Sequence, residues 1–255
     1  MSFGSDSPFP LHDDQLKKWS QRGYMMDFLK SRAVASRSFE QYDFNIKALD
    51  TTNTWTIAAT STATTWAVLA EPGGWLRGVT GASLATAALQ IYQPQKYWNG
   101  TAGAGFASLI RLSSAVGVRL EQGFADVLPA IGTTAVNLPS NAFNSVASGA
   151  VYLYDDGSAS AAVSGLYTIG TSTAYAAAAT TTNRYDSAAT LFVAVEVNGR
   201  NAQLWVGPPG KPLVSVSTVV TAADGLLPFI MVKKVSGGSI NLDLDLFATW
   251  TLGRV

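Results

Sequence analysis

From Asn53 onward, apolar positions alternate with polar or small ones in short runs, and the alternation is sharpest between Thr190 and Val206. Leu191, Val193, Val195 and Val197 form one period-two set, Ala202, Leu204 and Val206 another, and the two meet at Asn198-Gly199. Asn-Gly supplies the positive φ angles of a primed turn, so the stretch is predicted to be a β-hairpin. A two-residue turn pairs Val195 with Ala202 and Val193 with Leu204; a four-residue turn keeps all seven apolar residues on the same face, because faces exchange only on an odd slip. The other face carries Phe192, Ala194, Glu196, Gln203 and Trp205, a mixture suited to a sheet whose second side is partly covered.

The same pattern predicts strands over Thr54 to Ala59, Trp66 to Ala70 and Trp75 to Val79, the last two joined by a turn at Glu71-Pro-Gly-Gly74. Leu84 to Tyr92 fits strand or helix. Ala107 to Leu112 and Val116 to Glu121 are predicted to form a second hairpin around Ser113-Ser114, with Leu109 and Arg111 on the face opposite Ile110 and Leu112. Val127 to Ala147 holds two prolines and is expected to be a long connection that covers an edge or reaches a partner. Val151 to Tyr154 is a strand that Asp155-Asp-Gly157 stops with another primed-turn sequence, and Leu166 to Gly170 is a further strand. Thr171 to Asn183 is open between a strand edge and a loop. Strands follow over Leu213 to Val220 and Leu227 to Val235. Ile240, Leu242, Leu244 and Leu246 then alternate with Asn241, Asp243 and Asp245, so the last strand is expected to have one buried and one wet face before Trp250. Many short strands punctuated by Gly, Pro, Asn and Ser make the fold all-β, and the lack of a repeat of twenty to fifty residues argues against propellers and solenoids.

Residues 1–50 break this pattern and hold fourteen of the charged residues. Asp13 and Asp14 in a first turn, then apolar Leu16, Trp19, Met26, Leu29 and Ala33, predict an amphipathic helix from about residue 12 to 34 that Gly23 is placed to interrupt. Two roles are open for it: packing on its own domain, or docking on a neighbouring subunit through Trp19, Tyr24, Met25, Met26 and Phe28. The expected division is an arm of 1–50 for attachment or oligomerisation and a sandwich domain of 51–255. On the docking alternative, removal of residues 1–45 should leave the sandwich folded and abolish attachment.

Composition narrows function mainly by exclusion. Seventeen basic and seventeen acidic residues give zero formal net charge, so the electrostatic footprint of a nucleic-acid binder is missing. Only 13% of the 255 residues are charged, which points to a surface partly covered by neighbours. There is no cysteine, no basic and apolar leader opens the sequence, and Thr51 to Ala70 is too rich in threonine for a membrane span. His12 is the only histidine, so a histidine-based triad or a two-histidine zinc site cannot form within one chain. No GxGxxG, GxxxxGK[ST] or GxSxG occurs.

Carboxylates are the remaining reactive groups. Asp243 with Asp245 and Asp155 with Asp156 are the pairs to weigh as a glycoside-hydrolysis dyad or as calcium ligands, against the plainer readings of a solvated strand face and a turn. Trp66, Trp75, Tyr92, Tyr97 and Trp98 are candidates for stacking on sugar rings, against a place in the core or at an interface. Asn99-Gly-Thr101 matches a glycosylation acceptor. No catalytic residue, cofactor site or metal site is expected.

Ala107-Ser-Leu-Ile-Arg-Leu112 leading to Gly123-Phe-Ala-Asp126 is followed by Ala150-Val-Tyr-Leu-Tyr-Asp155. Leu191 to Gly199 with Ala202-Gln-Leu-Trp-Val206 comes next, and then Leu227-Pro-Phe-Ile230. In this order of segments the chain from about Asn53 to Trp250 resembles the concanavalin-like (laminin-G/lectin-like) β-sandwich of tailed-bacteriophage virion proteins; Gly207-Pro-Pro-Gly210 departs from the usual short turn. The resemblance implies a concanavalin-like jelly-roll β-sandwich of two antiparallel sheets. It also implies a non-enzymatic virion structural protein, a capsid decoration or cement protein assembled in the host cytoplasm. On that reading it sits on the capsid surface against the major capsid protein and associates with itself as a closed oligomer, a trimer being the expectation. The alternative is a tail or baseplate sandwich that recognises host surface carbohydrate. A sandwich-fold glycosidase is a third reading. No nucleic-acid or membrane partner is expected.

Overall fold

A strand whose residues on one face are all apolar must bury that face, and here two sheets bury theirs against each other. The computed structural model describes residues 23–44, 49–52, 54–60, 65–71, 74–81, 87–94, 98–128, 130–131, 133, 135–137, 142–143, 149–156, 163–169, 176–180, 190–220 and 225–252. In chain order the elements are α1 (Gly23–Ala35), β1 (Ser38–Asp43), β2 (Thr56–Ala59), β3 (Thr65–Leu69), β4 (Trp75–Val79), β5 (Ala88–Tyr92) and β6 (Ala104–Leu112). They continue with β7 (Val118–Ala125), β8 (Val136–Asn137), β9 (Ala142–Phe143), β10 (Gly149–Asp155), β11 (Val163–Ile169) and β12 (Ala176–Thr180). The last are β13 (Thr190–Asn198), β14 (Asn201–Gly207), β15 (Val214–Val219), β16 (Leu227–Lys234) and β17 (Asn241–Thr251).

One sheet has eight strands in the order β15-β14-β13-β6-β17-β4-β3, with β1 added beside β17; the other has seven, β12-β11-β10-β7-β16-β5-β2. The pairs are antiparallel throughout. Between the sheets lie Phe106, Ile110, Leu112, Val193, Val195, Leu204, Leu242 and Phe247 from the first, and Leu89, Ile91, Leu120, Phe124, Tyr152, Ile230 and Val232 from the second. The Phe106 ring meets Phe124 edge-on at 6.2 Å and Phe247 at 5.0 Å, tying the layers at the centre. This is the all-β, two-sheet sandwich expected, with its helix ahead of it.

All seven apolar residues of the central hairpin face this core. The register differs from the simplest expectation by two residues: Asn198 faces Asn201, so Gly199 and Arg200 make the turn, Val195 faces Leu204 and Val193 faces Val206. A glycine at the first central position, with φ of 59°, meets the turn's need for a positive angle, and an even shift leaves the faces unchanged.

The second expected hairpin does not form. β6 and β7 belong to different sheets, and the link between them crosses the sandwich. Ser113 N donates to Asn241 O in the eight-stranded sheet, whereas Gly117 N donates to Asp156 O beside the seven-stranded one. Ser114 Oγ accepts from Val116 N at 3.1 Å, which tightens the bend. Asp155 pairs with Val163, which leaves residues 156–162 between the strands in place of a two-residue turn; Gly157 lies outside the described residues. Leu84 to Tyr92 contributes the strand β5, from Ala88, and Thr171 to Asn183 contributes the edge strand β12.

Two further differences shape the outer surfaces. The alternation in β17 breaks at Asp245, where Leu244 faces Ile110 but Leu246 faces Leu109. Such a bulge puts an extra residue into one strand, so Leu246 joins Ala248 and Trp250 on the outer face while Phe247 turns inward. Residues 38–43 form β1 and pair with β17 over six positions, so the expected boundary at residue 50 does not coincide with a break in the sheet.

Candidate functional site on the outer faces of the sandwich

With the core sealed, the polar residues that alternation sends outward are where chemistry can lie. Among the described residues they gather in three clusters, two on the eight-stranded sheet and one on the seven-stranded sheet.

The first lies under α1. The helix rests on its own sheet, with Met25 and Leu29 buried among Leu109, Phe192, Ala194, Leu246 and Trp250. Met25 N donates to Pro209 O, and the Phe28 ring lies 5.0 Å from Trp205, 5.7 Å from Phe192 and 6.1 Å from Trp250. Of the residues predicted to dock on a neighbour, Met25, Met26 and Phe28 are therefore engaged within the chain. Tyr24 is about half exposed, and Trp19 lies outside the described residues, as does His12. The Arg32 guanidinium sits 4.7 Å over Phe28 and 4.9 Å over Trp205 and reaches Glu196 Oε1 at 2.6 Å. Trp250 Nε1 donates to the same oxygen at 3.0 Å. Burial pushes the Glu196 carboxyl above its usual range, and the Arg32 charge with the two hydrogen bonds only partly offsets this.

The second cluster lies on the outer face of the seven-stranded sheet. Arg119 donates to Glu121 Oε1 from Nε at 3.0 Å and from Nη2 at 2.7 Å, and to Asp155 Oδ2 from Nη1 at 3.1 Å. Ala135 N, in the connection after β7, donates to Glu121 Oε2 at 2.6 Å, and Ala135 packs with Ala125, Val151, Phe229 and Met231. At Ala135 the connection thus lies on a sheet face, where an edge or a partner was expected. Glu121 and Asp155 are fully buried against one arginine, an arrangement that holds structure and leaves no opening for a ligand. Tyr167 is buried nearby, and burial raises its phenol.

The third cluster is the accessible one. Arg77 on β4, Asp243 on β17 and Arg111 on β6 are register partners in a single cross-strand row, with the carboxylate between the two arginines. Arg77 donates from Nε to Oδ1 at 2.5 Å and from Nη2 to Oδ2 at 2.7 Å; Arg111 donates to Oδ2 from Nε at 2.9 Å and from Nη2 at 2.7 Å. The Arg111 guanidinium lies 4.8 Å over the Trp75 ring and reaches Glu71 Oε2 at 3.4 Å. Asp243 is 4% exposed, whereas the arginines are 31% and 30% exposed and Glu71 45%. Burial raises the Asp243 carboxyl, but hydrogen bonds and charge from both arginines outweigh it and hold the group below its usual value.

The face that Asp243 was expected to keep wet is thus closed by arginine. Asp245, on the same side, lines a small open pocket with Met25, Met26, Leu29, Gln41, Asp43 and Leu246. Among the described residues, no three His, Asp or Glu side chains gather as a metal site. Of the aromatic candidates, Trp75 and Trp98 are buried, Trp66 and Tyr92 are partly buried, and Tyr97 lies outside the described residues. Asn99 Oδ1 accepts from Ala102 N at 2.8 Å, a local turn bond. The arginine row was missed because alternation sends each member outward while only the register puts them side by side.

The sequence matches no protein family and no curated protein. Among solved structures the chain is similar to peanut lectin, described with a nine-residue peptide, at a TM-score of 0.56 and 14% identity over 86% of this chain and 100% of that one. It is similar to the carbohydrate recognition domain of Emp47p at 0.56 and 12% identity, covering 87% and 99%, and to the exoplasmic/lumenal domain of VIP36 in its Ca²⁺/Man3GlcNAc-bound form at 0.51 and 10% identity, covering 79% and 85%. At these identities the likeness establishes the fold: a concanavalin-like, lectin-type β-sandwich.

Proposed function

We propose that this chain is a non-enzymatic recognition domain that binds carbohydrate on an outer face of its sandwich. The observation that carries this is the likeness, over 79–87% of the chain, to lectins and carbohydrate-recognition domains. The carboxylate chemistry favours binding over hydrolysis, because a glycosidase needs one acid with a raised pKa across a groove from a second carboxylate. Glu196 has a raised pKa but lies beneath α1, Asp243 is held low between two arginines, and Glu121 and Asp155 are enclosed around Arg119. A glycan array probed with the full chain should show a small set of specific, saturable ligands and no release of reducing sugar from them. Folded protein that binds no glycan above background would end this reading.

A second reading has its own observation. Of a small complement of charges, Arg119, Glu121, Asp155, Glu196 and Asp243 are buried in ion pairs within the chain, so the exposed surface is poorer in charge than the composition alone implies. A surface of that kind suits a protein covered by neighbours. With the segment order described above, it supports a capsid decoration or cement protein of a tailed-bacteriophage virion, trimeric on the major capsid protein. Imaging of purified particles should then show the sandwich on the capsid surface, and its absence from every particle would remove the reading.

A further inference from the structure

Resting on the carbohydrate reading above, we infer that Arg77 and Arg111 form the binding site for the oxyanion of an acidic saccharide, a carboxylate or sulfate group, on the outer face of the eight-stranded sheet. The row is built before any ligand arrives. Each arginine is fixed by two hydrogen bonds to the buried Asp243 carboxylate, and Arg111 also lies against the Trp75 ring. Little side-chain freedom is therefore left to lose on binding, which is what makes a preorganised guanidinium pair effective towards a second oxyanion.

The donors it would use remain available. Both arginines bind Asp243 through Nε and Nη2, and neither Nη1 makes a hydrogen bond among the described residues, while about a third of each side chain is open to solvent. Two guanidinium groups around the one buried carboxylate carry a net charge of +1, which Glu71 balances only from a partly exposed position. Glu71, the fourth charged member, touches Arg111 at 3.4 Å and is nearly half exposed, so its contact is long, screened and readily displaced. The ion pairs of Arg32 and Arg119 offer no such site, since one is held beneath α1 and the other is buried.

Glu71 also points to a saccharide rather than a simple anion. A carboxylate acceptor beside two donors that Asp243 does not use matches a ligand that carries an oxyanion and a hydroxyl on neighbouring carbons. Arginine takes the former and Glu71 the latter.

Titration calorimetry on the full chain with trigalacturonic acid, a sulfated chondroitin tetrasaccharide, neutral galactotriose and sodium sulfate tests this. At least one acidic saccharide should bind about tenfold more tightly than the neutral trimer, and Arg77→Gln or Arg111→Gln should weaken it about tenfold. Because these changes also loosen Asp243, the exposed Glu71→Gln is the second variant: it keeps an acceptor and removes the competing charge, so affinity for the acidic probe should rise about threefold. Unchanged affinity in Glu71→Gln and in both arginine variants overturns the site. Binding of sulfate ion without either acidic saccharide overturns it too. If the array shows neutral ligands but neither acidic probe binds, this inference fails and the carbohydrate reading stands. If no glycan of any kind binds, both fail.

Discussion

Gly105 has no side chain, and Trp250 occupies the space one would fill. Gly105 on β6 is the register partner of Trp250 on one side and of Glu196 on the other. The indole crosses above it to donate to Glu196, and a Cβ at position 105 would lie 1.9 Å from indole Cε2. Gly105→Ala must therefore push the ring off the sheet, away from both Glu196 and the Phe28 and Phe39 rings packed on it. Overpacking of this kind costs about 1–3 kcal/mol, and in a chain of this size each kcal/mol lowers melting by about 2–4 °C. A melting curve for Gly105→Ala that overlays the wild type would show that the row is not packed this way. None of this is legible in sequence, because Gly105, Glu196 and Trp250 are far apart in the chain and meet only through strand pairing. The face of Glu196 was legible, since alternation alone sent it with Trp205 to the covered side of the hairpin; that of Trp250 was not, because the bulge at Asp245 reverses the alternation before it.

At the scale of elements, residues 23–44 are part of the sandwich. Phe39 stacks on Trp250 at 6.1 Å, Tyr42 meets Trp55 at 5.1 Å, and Phe44 is buried in the central core. Removing residues 1–45 takes away Met25, Leu29 and Phe44 and uncovers Phe192, Trp205 and Trp250. Each fully buried large apolar side chain contributes about 1.5–3 kcal/mol, against a whole-domain stability of about 5–15 kcal/mol. The truncated chain is therefore expected to lose its cooperative unfolding transition and to aggregate, where attachment by a separable arm requires a folded remainder. A sharp, reversible melt after the deletion would restore the separable arm. The pairing of β1 with β17 escaped sequence reading because Ser38-Phe-Glu-Gln-Tyr-Asp43 directly follows a helix in a charged segment. The β6 to β7 link escaped it for another reason: a short serine-rich turn serves a hairpin or a cross-sheet step equally well, and only the partners of Ser113 and Gly117 decide. The bulge at Asp245 was hidden because Leu246 extends the apparent alternation by composition while the backbone has already shifted by one.

For the molecule as a whole, the scarcity of charge makes the response to pH depend on few groups, and two of them pull in opposite directions. Glu196 is raised in the folded state, so the folded state binds its proton more tightly than the unfolded chain does. Its contribution is present below the ordinary glutamate value of about 4.3 and is lost as pH rises through the higher folded value. Asp243 is lowered, so its contribution is present above the ordinary aspartate value of about 3.9 and is lost as pH falls through the lower folded value. Acidification from neutral pH should therefore raise the urea midpoint first, as Glu196 takes up a proton, and lower it afterwards, as Asp243 does. The two limbs are separable by substitution. Glu196→Gln, which keeps an acceptor for Trp250, should flatten the rise; Asp243→Asn should lower stability at neutral pH, because two arginines lose their shared anion, and should weaken the acid fall. Urea titrations at half-unit steps from pH 7 to pH 3 measure both limbs, and a rise that persists unchanged in Glu196→Gln would assign it to another group. The same Asp243→Asn protein links stability to recognition, since the carboxylate that steadies β4, β17 and β6 also fixes the outward guanidinium groups. Its affinity for an acidic saccharide should fall with both arginines still in place.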